Sequence, residues 1–357
     1  MSLQFHTLRV LAIEPDTEEA VVVSFGVPAE LREKFVFNQG QYLTLRADVN
    51  GEDLRRSYSI CAGIDDAQLR VGVRRAGVFS NWVNTQLQVN DEIRVMPPQG
   101  RFFVPLDATT KRHYLGLAGG SGITPILSIM KTVLAREPGS RFTLIYGNRR
   151  QASTMFKEEL EDLKNQYLTR VSLHHVFSDE TVDSALMAGV MNREKITEFL
   201  TQLVNPQSID HAFVCGPYQM NDEAEHALLG AGVPQDRIHI ERFGTPQPAA
   251  GEAPMHRVEV GDVDAAKITI IRDGLRREIE FSKTDESILA AAARAGLEVP
   301  FSCKSGVCAT CRCKVLDGKV RMDRNFALEK HEVEAGYILS CQAHALTPTV
   351  TISFDDR

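Results

Sequence analysis

The sequence predicts a multidomain protein: an antiparallel β-barrel first, then an α/β domain with a doubly wound parallel sheet, then a small α+β domain. Three observations lead there. Residues 5–105 hold short alternating segments separated by turn signals. Residues 113–243 alternate apolar strands with helical stretches. Residues 267–357 combine alternating strands with one helix. The expected domains are 1–108, 109–245 and 267–357, with residues 246–266 as a linker. A chain of 357 residues is long enough for several ordinary cores.

The barrel strands read as LRVLAIE, AVVVSFGV, QYLTLRAD, LRVGVRR and DEIRVMPP, with Asn50-Gly51 as a hairpin signal. Two features stand out within them. RRSYSI (55–60) places an aromatic ring, Tyr58, between Arg56 and Ser59. Gly77-Val78-Phe79-Ser80 offers a glycine and a hydroxyl. Taken singly, each also fits a plain strand with surface arginines.

In the second domain, HYLGLAGG leads from an apolar strand into Gly119-Gly120-Ser121-Gly122-Ile123-Thr124-Pro125 and then a helix. Glycines let a backbone approach a phosphate closely, and a helix start supplies free N–H groups. Thr124 is expected as N-cap, with Pro125 at the first helical position. Pro125 stands where a G-x-G-x-x-G motif would have its last glycine, so the loop alone is weak. RFTLIYGNRR, VSLHHVFS, HAFVCGP and RIHIERF supply the further strands, with helices between them. Ligands bind such sheets at the carboxyl ends of the strands. That singles out Cys215-Gly216-Pro217 beside a nicotinamide, and Arg149 with Arg150 for a 2′-phosphate; a core cysteine and solvated charges are the plainer alternatives.

GTPQPAAGEAPMH (244–256) is rich in Pro, Gly and Ala and reads as a semi-extended tether. Beyond it, KITIIRDG and RREIEFS form an expected hairpin around Asp273-Gly274. DESILAAAARAG is an expected helix, with Asp285 near its start and Gly296 past its end, and TVTISF is a closing strand. CKSGVCATCRC (303–313) packs four of the chain's seven cysteines into one loop. The spacing Cys303-x4-Cys308-x2-Cys311, with Cys341 far downstream, is the arrangement that holds a [2Fe–2S] cluster in plant-type ferredoxins. Ser305, Gly306 and Ala309 are small enough to let backbone N–H groups reach the sulfurs. Zinc is the competing metal, but zinc sites favour paired C-x2-C units, and only one is present. Cys313 reads as a buried apolar residue.

Such a cluster carries one electron at a time, whereas a nicotinamide gives up a hydride. A flavin bridges the two, and the barrel motif suits one: Tyr58 to stack on the ring, Ser59 at its N5 edge, Arg56 at its phosphate, and Gly77 and Ser80 at the pyrophosphate. The net charge of -7 argues against general nucleic-acid binding. No apolar run reaches the roughly eighteen residues of a membrane span. No signal peptide is visible, and an odd, clustered cysteine count does not resemble a disulfide framework, so a cytoplasmic location is expected.

Arg-x-Tyr-Ser (56–59), Gly-x-x-Ser (77–80), GGSGITP and Cys-Gly-Pro, in that order, resemble the ferredoxin–NADP reductase family. With a C-terminal plant-type ferredoxin of β-grasp fold, the chain resembles the single-chain oxygenase reductases. The resemblance implies FAD held by Arg56, Tyr58, Ser59, Gly77 and Ser80. It implies NADPH held by Gly120, Gly122, Thr124, Arg149, Cys215 and Gly216, with Phe243 over the flavin. Tyr58, Ser59 and Cys215 become the expected catalytic residues, and Cys303, Cys308, Cys311 and Cys341 the metal ligands. RRAGVFSNW looks one residue shorter than the commoner form, and FMN in place of FAD stays open on sequence. The expected partner is the oxygenase component of a multicomponent monooxygenase. RRSYSIC, FTLIYGNR, IHIERF, VCATCRCKVLDGKV and GYILSCQA point within the class to an oxygenase of phenylacetate catabolism. Ketosteroid, alkane and Rieske aromatic hydroxylases are alternatives, as is a non-enzymatic redox sensor. Lys304, Arg312, Lys314, Lys319 and Arg321 outnumber Asp317 around the cluster motif, so an acidic docking face is expected on the partner.

Overall fold

The barrel closes by backbone pairing between strands far apart in its order. In the computed structural model, which describes residues 4–245, 256 and 258–356, β1 (His6–Thr17), β2 (Ala20–Gly26), β3 (Tyr42–Val49), β4 (Glu52–Ser59), β5 (Leu69–Arg74) and β6 (Glu92–Gln99) form one antiparallel sheet. Its order is β4-β3-β6-β1-β2-β5. The ends meet where Ile60 bridges Val71 and the Cys61 N–H donates to the Arg70 carbonyl at 3.1 Å. The β3–β4 turn places Asn50 and Gly51 at φ 56° and 82°, the left-handed pair that matches the strand twist. Helix α1 (Val78–Thr85) packs Phe79 and Val83 into the barrel core.

The second sheet is wholly parallel. Strands β7 (His113–Gly119), β8 (Arg141–Asn148), β9 (Val171–Phe177), β10 (His211–Gly216) and β11 (Ile238–Arg242) lie in the order β11-β10-β7-β8-β9. Helices α2 (Ile123–Arg136), α3 (Lys157–Gln166), α4 (Arg193–Gln202) and α5 (Tyr218–Gly230) make the crossovers. The chain winds outward from β7 to β9, then returns to build β10 and β11 on the other side. The order therefore reverses between β7 and β10, which is where such sheets open a crevice. Barrel and parallel sheet belong to one compact unit, Phe5–Gly244.

A second unit holds Thr245–Arg357. Its mixed sheet has the order β13-β12-β18-β14-β16, from β12 (Ala265–Arg272), β13 (Leu275–Ser282), β14 (Arg312–Asp317), β16 (Tyr337–Leu339) and β18 (Thr349–Ser353). β15 (Val320–Met322) pairs with β17 (Ala343–Ala345). Asp273 and Gly274, at φ 53° and 73°, make the β12–β13 turn. Helix α6 (Ile288–Arg294) buries Ile288, Leu289, Ala291 and Ala292 against the sheet. Its N-cap is Ser287, whose hydroxyl accepts the Ala290 N–H. Asp285 instead accepts the Ser282 N–H and pairs with Arg294. Helix α7 (Lys330–Glu334) precedes β16, and Cys313 is fully buried in this core.

Residues 246–255 and 257 of the expected linker lie outside the described residues. The rest of that stretch departs from the tether reading. His256 Nδ1 meets Asp323 Oδ2 at 3.0 Å, and Asp262 pairs with Arg321 at 2.6 Å. The Val263 N–H donates to the Ala345 carbonyl. The reason is charge: Arg321 needs carboxylates, and Asp262 and Asp323 supply them on either side. Buried His344 donates its Nε2–H to the same Asp323 Oδ2, 2.9 Å away. Asp323→Ala is expected to destabilise this unit by about 3 kcal/mol, because Arg321 is left half-satisfied in a covered site. A urea titration would show it, and an unchanged midpoint would contradict this anchoring role.

Candidate functional site

The glycine loop and the Cys-Gly-Pro turn, nearly a hundred residues apart in the chain, end neighbouring strands at the point where the sheet order reverses. β10 pairs with β7 so that Cys215 lies beside Ala118. A Cβ at residue 122 would fall 2.0 Å from the Cys215 carbonyl oxygen, so only glycine permits this approach. Gly120 sits at φ +52°, and its carbonyl accepts the Tyr146 hydroxyl at 2.9 Å. Helix α2 starts two residues earlier than expected, with Gly122 in the cap position. Thr124 is therefore inside the helix and not its N-cap. Its hydroxyl donates to the Ser121 carbonyl at 3.0 Å and closes the turn from within. The correction has a local cause: a short 3-10 turn over Gly120–Gly122 already leads the chain into the helix.

Strand β4 brings the barrel motif to the same place. Along it Arg56 and Tyr58 share one face, while Ser57 and Ser59 share the other. Arg56 is exposed, and the Tyr58 ring stacks near Phe79 with centroids 6.1 Å apart. The Ser59 hydroxyl donates to Glu241 Oε2 at 3.2 Å. Glu241 lies on β11, directly beside Cys215 on β10. The Ser59–Glu241 hydrogen bond thus joins barrel and sheet, with Cys215 on the strand beside Glu241. Loss of solvent around the Glu241 carboxyl pushes its pKa up to about 8, and the Ser59 hydrogen bond opposes this only in part. Burial, then the neighbouring Glu241, raises the Cys215 thiol well above its ordinary value. Asn221 fixes both strand ends, donating to the Gly216 and Glu241 carbonyls at 3.3 and 3.1 Å.

The remaining expected ligands to flavin and nicotinamide take varied positions. Gly77 stands before α1, and a Cβ there would meet nothing within 4 Å. The Ser80 hydroxyl is engaged in the turn: it accepts from Ala76 and Gly77 N–H groups and donates to the Gly77 carbonyl. What faces outward is therefore the first turn of α1, with space in front of it. Arg149 follows β8 and is exposed, its carbonyl accepting the Asp179 N–H at 2.9 Å. Gly216 ends β10, and Phe243 follows β11 with 44% of its surface exposed.

In the smaller unit, residues 303–311 curl tightly. Lys304, Gly306 and Ala309 take φ of 56°, 78° and 53°. Left-handed backbone at Lys304 and Ala309 costs energy, and it persists only where the surroundings fix it. The curl aims donors inward: the Ser305 N–H reaches Cys303 Sγ at 3.3 Å, and N–H groups of Val307 and Gly306 meet Cys303 and Cys341. The four sulfurs associate as two pairs. Cys303 pairs with Cys308, and Cys311 with Cys341. A single zinc ion would gather all four sulfurs around one point. Among the described residues, the group of ligand atoms within 4.8 Å of one another is His256, Asp323 and His344, not a cysteine trio. Two thiol pairs, one per iron, fit a binuclear cluster. The His–Asp–His group is accounted for by hydrogen bonds to one carboxylate oxygen while Arg321 holds the other.

The expected basic surface shrinks. Arg312 is buried, paired with Glu332 at 3.1 Å and lying over the Tyr337 ring, and Arg321 is held by Asp262 and Asp323. Both are internal because a covered guanidinium requires carboxylates. Lys304 and Lys319 stay exposed, and Lys314 is half-covered above Tyr337. Among the described residues, no helix is long and apolar enough to cross a membrane.

A flavin-ready barrel, a nicotinamide-ready sheet and a paired-thiol loop together define an electron-transferring flavin and iron–sulfur oxidoreductase. Family models agree: an oxidoreductase FAD-binding domain over residues 9–104, an oxidoreductase NAD-binding domain over 117–226 and a 2Fe-2S iron-sulfur cluster binding domain over 270–346. The chain is 46% identical over 355 residues to a subunit of the 1,2-phenylacetyl-CoA epoxidase of Escherichia coli K12, covering 99% of this chain and 98% of that protein. It is 34% identical to the ferredoxin reductase component of 3-ketosteroid-9-alpha-monooxygenase of Rhodococcus rhodochrous, covering 97% and 96%. Phthalate dioxygenase reductase has the same fold, with TM-score 0.59, 24% identity and 98% of both chains covered. The chain belongs to the ferredoxin–NADP reductase family, in the branch that carries a C-terminal [2Fe–2S] ferredoxin domain. Its cofactors are FAD, NAD(P)H and a [2Fe–2S] cluster.

Glu241 is the residue of this junction that the sequence motifs do not single out. Its carboxyl stays protonated below about pH 8 and can serve as donor or acceptor there. Glu241→Gln is expected to retain flavin and to slow flavin bleaching by NADPH about tenfold or more. It should also remove any inflection near pH 8 from the rate profile in anaerobic stopped flow. A variant with the parent rate and profile would contradict the role.

Proposed function

We propose that this chain is the NADPH-dependent reductase component of a multicomponent oxygenase that epoxidises the aromatic ring of phenylacetyl-CoA. The observation that carries the electron-transfer reading is the Ser59–Glu241 hydrogen bond, which brings the flavin motif to the strand paired with Cys215 of the nicotinamide motif. The choice of oxygenase rests on the near-full-length similarity to a component of that epoxidase. When bound, the flavin accepts a hydride and releases its electrons singly, which suits a one-electron cluster.

The protein's own groups have distinct tasks. Tyr58 would lie against a bound flavin ring, Ser59 would stand at its N5 edge, and Arg56 would meet its phosphate. Gly77 leaves room before α1, so that the first-turn N–H groups face the pyrophosphate while Ser80 shapes that turn. Gly120, Gly122 and Thr124 form the cradle for the nicotinamide dinucleotide, and Arg149 selects the 2′-phosphate of NADPH. Cys215 and Gly216 would bound the nicotinamide site, Glu241 holds a proton beside Cys215, and Phe243 would lie over a bound flavin. Cys303, Cys308, Cys311 and Cys341 hold the cluster. Lys304 and Lys319, with Lys314, are the charges left to meet an acidic partner surface.

The 34% identity to a ketosteroid oxygenase reductase supports a second reading, with a steroid hydroxylase as partner. Reconstitution separates the two. The chain is expected to couple NADPH oxidation to phenylacetyl-CoA consumption with the epoxidase oxygenase component, at a rate that falls as salt rises. Coupling only to a steroid oxygenase, or to neither, would overturn the proposed partner.

A further inference from the structure

We propose that Gln342 raises the reduction potential of the iron–sulfur centre by donating a hydrogen bond to the Cys341 sulfur, while the same amide locks the cysteine loop to the segment bringing the fourth ligand. This rests on the assignment of the four cysteines as cluster ligands.

Gln342 is fully buried. Its Nε2 lies 3.0 Å from the Lys304 carbonyl, 3.0 Å from the Cys341 carbonyl and 3.6 Å from Cys341 Sγ. All three neighbours are acceptors, which fixes the amide with nitrogen toward them. One N–H serves Lys304. The other is shared between the carbonyl and the sulfur of Cys341. Lys304 is in the cysteine loop and Gln342 is 38 residues from it, so one side chain spans the two halves of the site. Gly306 leaves space for it: a Cβ there would stand 3.3 Å from Gln342 Cγ.

The main chain holds the amide in place. The Gln342 N–H donates to the Leu339 carbonyl, and its carbonyl accepts the Asp323 N–H, both at 2.9 Å. Asp323 is in turn fixed by Arg321, His256 and His344. Packing alone does not call for glutamine at this position. Its Oε1 is buried with no hydrogen-bond partner among the described residues, a desolvation cost that leucine or methionine would avoid. The nitrogen is the useful end. Reduction adds one negative charge to the cluster and its sulfurs, so a donor aimed at a ligand sulfur stabilises the reduced form more than the oxidised form.

The test is a redox titration of the full chain followed by the paramagnetic signal of the reduced cluster, with iron content as the assembly control. Gln342→Leu is expected to shift the midpoint to more negative potential, lowering the reduced-to-oxidised ratio about tenfold at fixed potential, equivalent to about 59 mV for one electron. Gln342→Glu is expected to shift it further the same way. A parent midpoint with full iron in either variant would overturn the inference. Should these variants fail to hold iron, parent protein carrying side-chain 15N-labelled glutamine decides. Pulsed electron paramagnetic resonance is expected to show a 15N coupling to the reduced cluster, and its absence overturns the inference. Parent protein without iron would instead overturn the ligand assignment beneath it.

Discussion

The close approach of two strand ends governs the larger unit. Because residue 122 is glycine, the turn after β7 can lie against the carbonyl of Cys215 at the end of β10, with no side chain between. That contact sits where the parallel sheet reverses its order, the position at which sheets of this kind bind their ligands. β11 then places Glu241 next to Cys215, and Ser59 from the barrel reaches Glu241. Had residue 122 carried a side chain, the strand ends would part and the polar junction between barrel and sheet would lose its geometry.

The cysteine unit obeys a comparable constraint by different means. Its loop adopts left-handed backbone at Lys304 and Ala309, positions that carry a Cβ. The compensation is a set of inward N–H groups that favour thiolates over thiols, as a cluster of ferric ions requires. The anchor around Asp323 and Arg321 then braces the segment behind Cys341.

Much of this was legible in the sequence because its causes are local. Asn50-Gly51 and Asp273-Gly274 announce left-handed turns by residue type, and the cysteine spacing announces its metal by reach. What escaped depends on contacts between distant segments. Glu241 reads as one more polar residue in a plain strand, and its partner Ser59 is 182 residues away. Arg312 and Arg321 look like surface charge until Glu332, Asp262 and Asp323 are seen beside them. Residues 258–264 lack strong periodicity and so read as linker, yet Asp262 is held by a guanidinium far along the chain. Thr124 has the residue type of a cap, but the preceding glycines had already turned the chain into the helix.

The central claim is that a flavin held at the first motif would take a hydride from NADPH and pass its electrons singly to the iron–sulfur cluster held by the four cysteines. Anaerobic addition of NADPH to the isolated protein, with rapid freezing and electron paramagnetic resonance, tests it most directly. The account predicts that flavin bleaching is followed by the signal of a reduced [2Fe–2S] cluster, with no other protein present. Flavin bleaching with a silent metal centre, or zinc in place of iron at the cysteine loop, would contradict it.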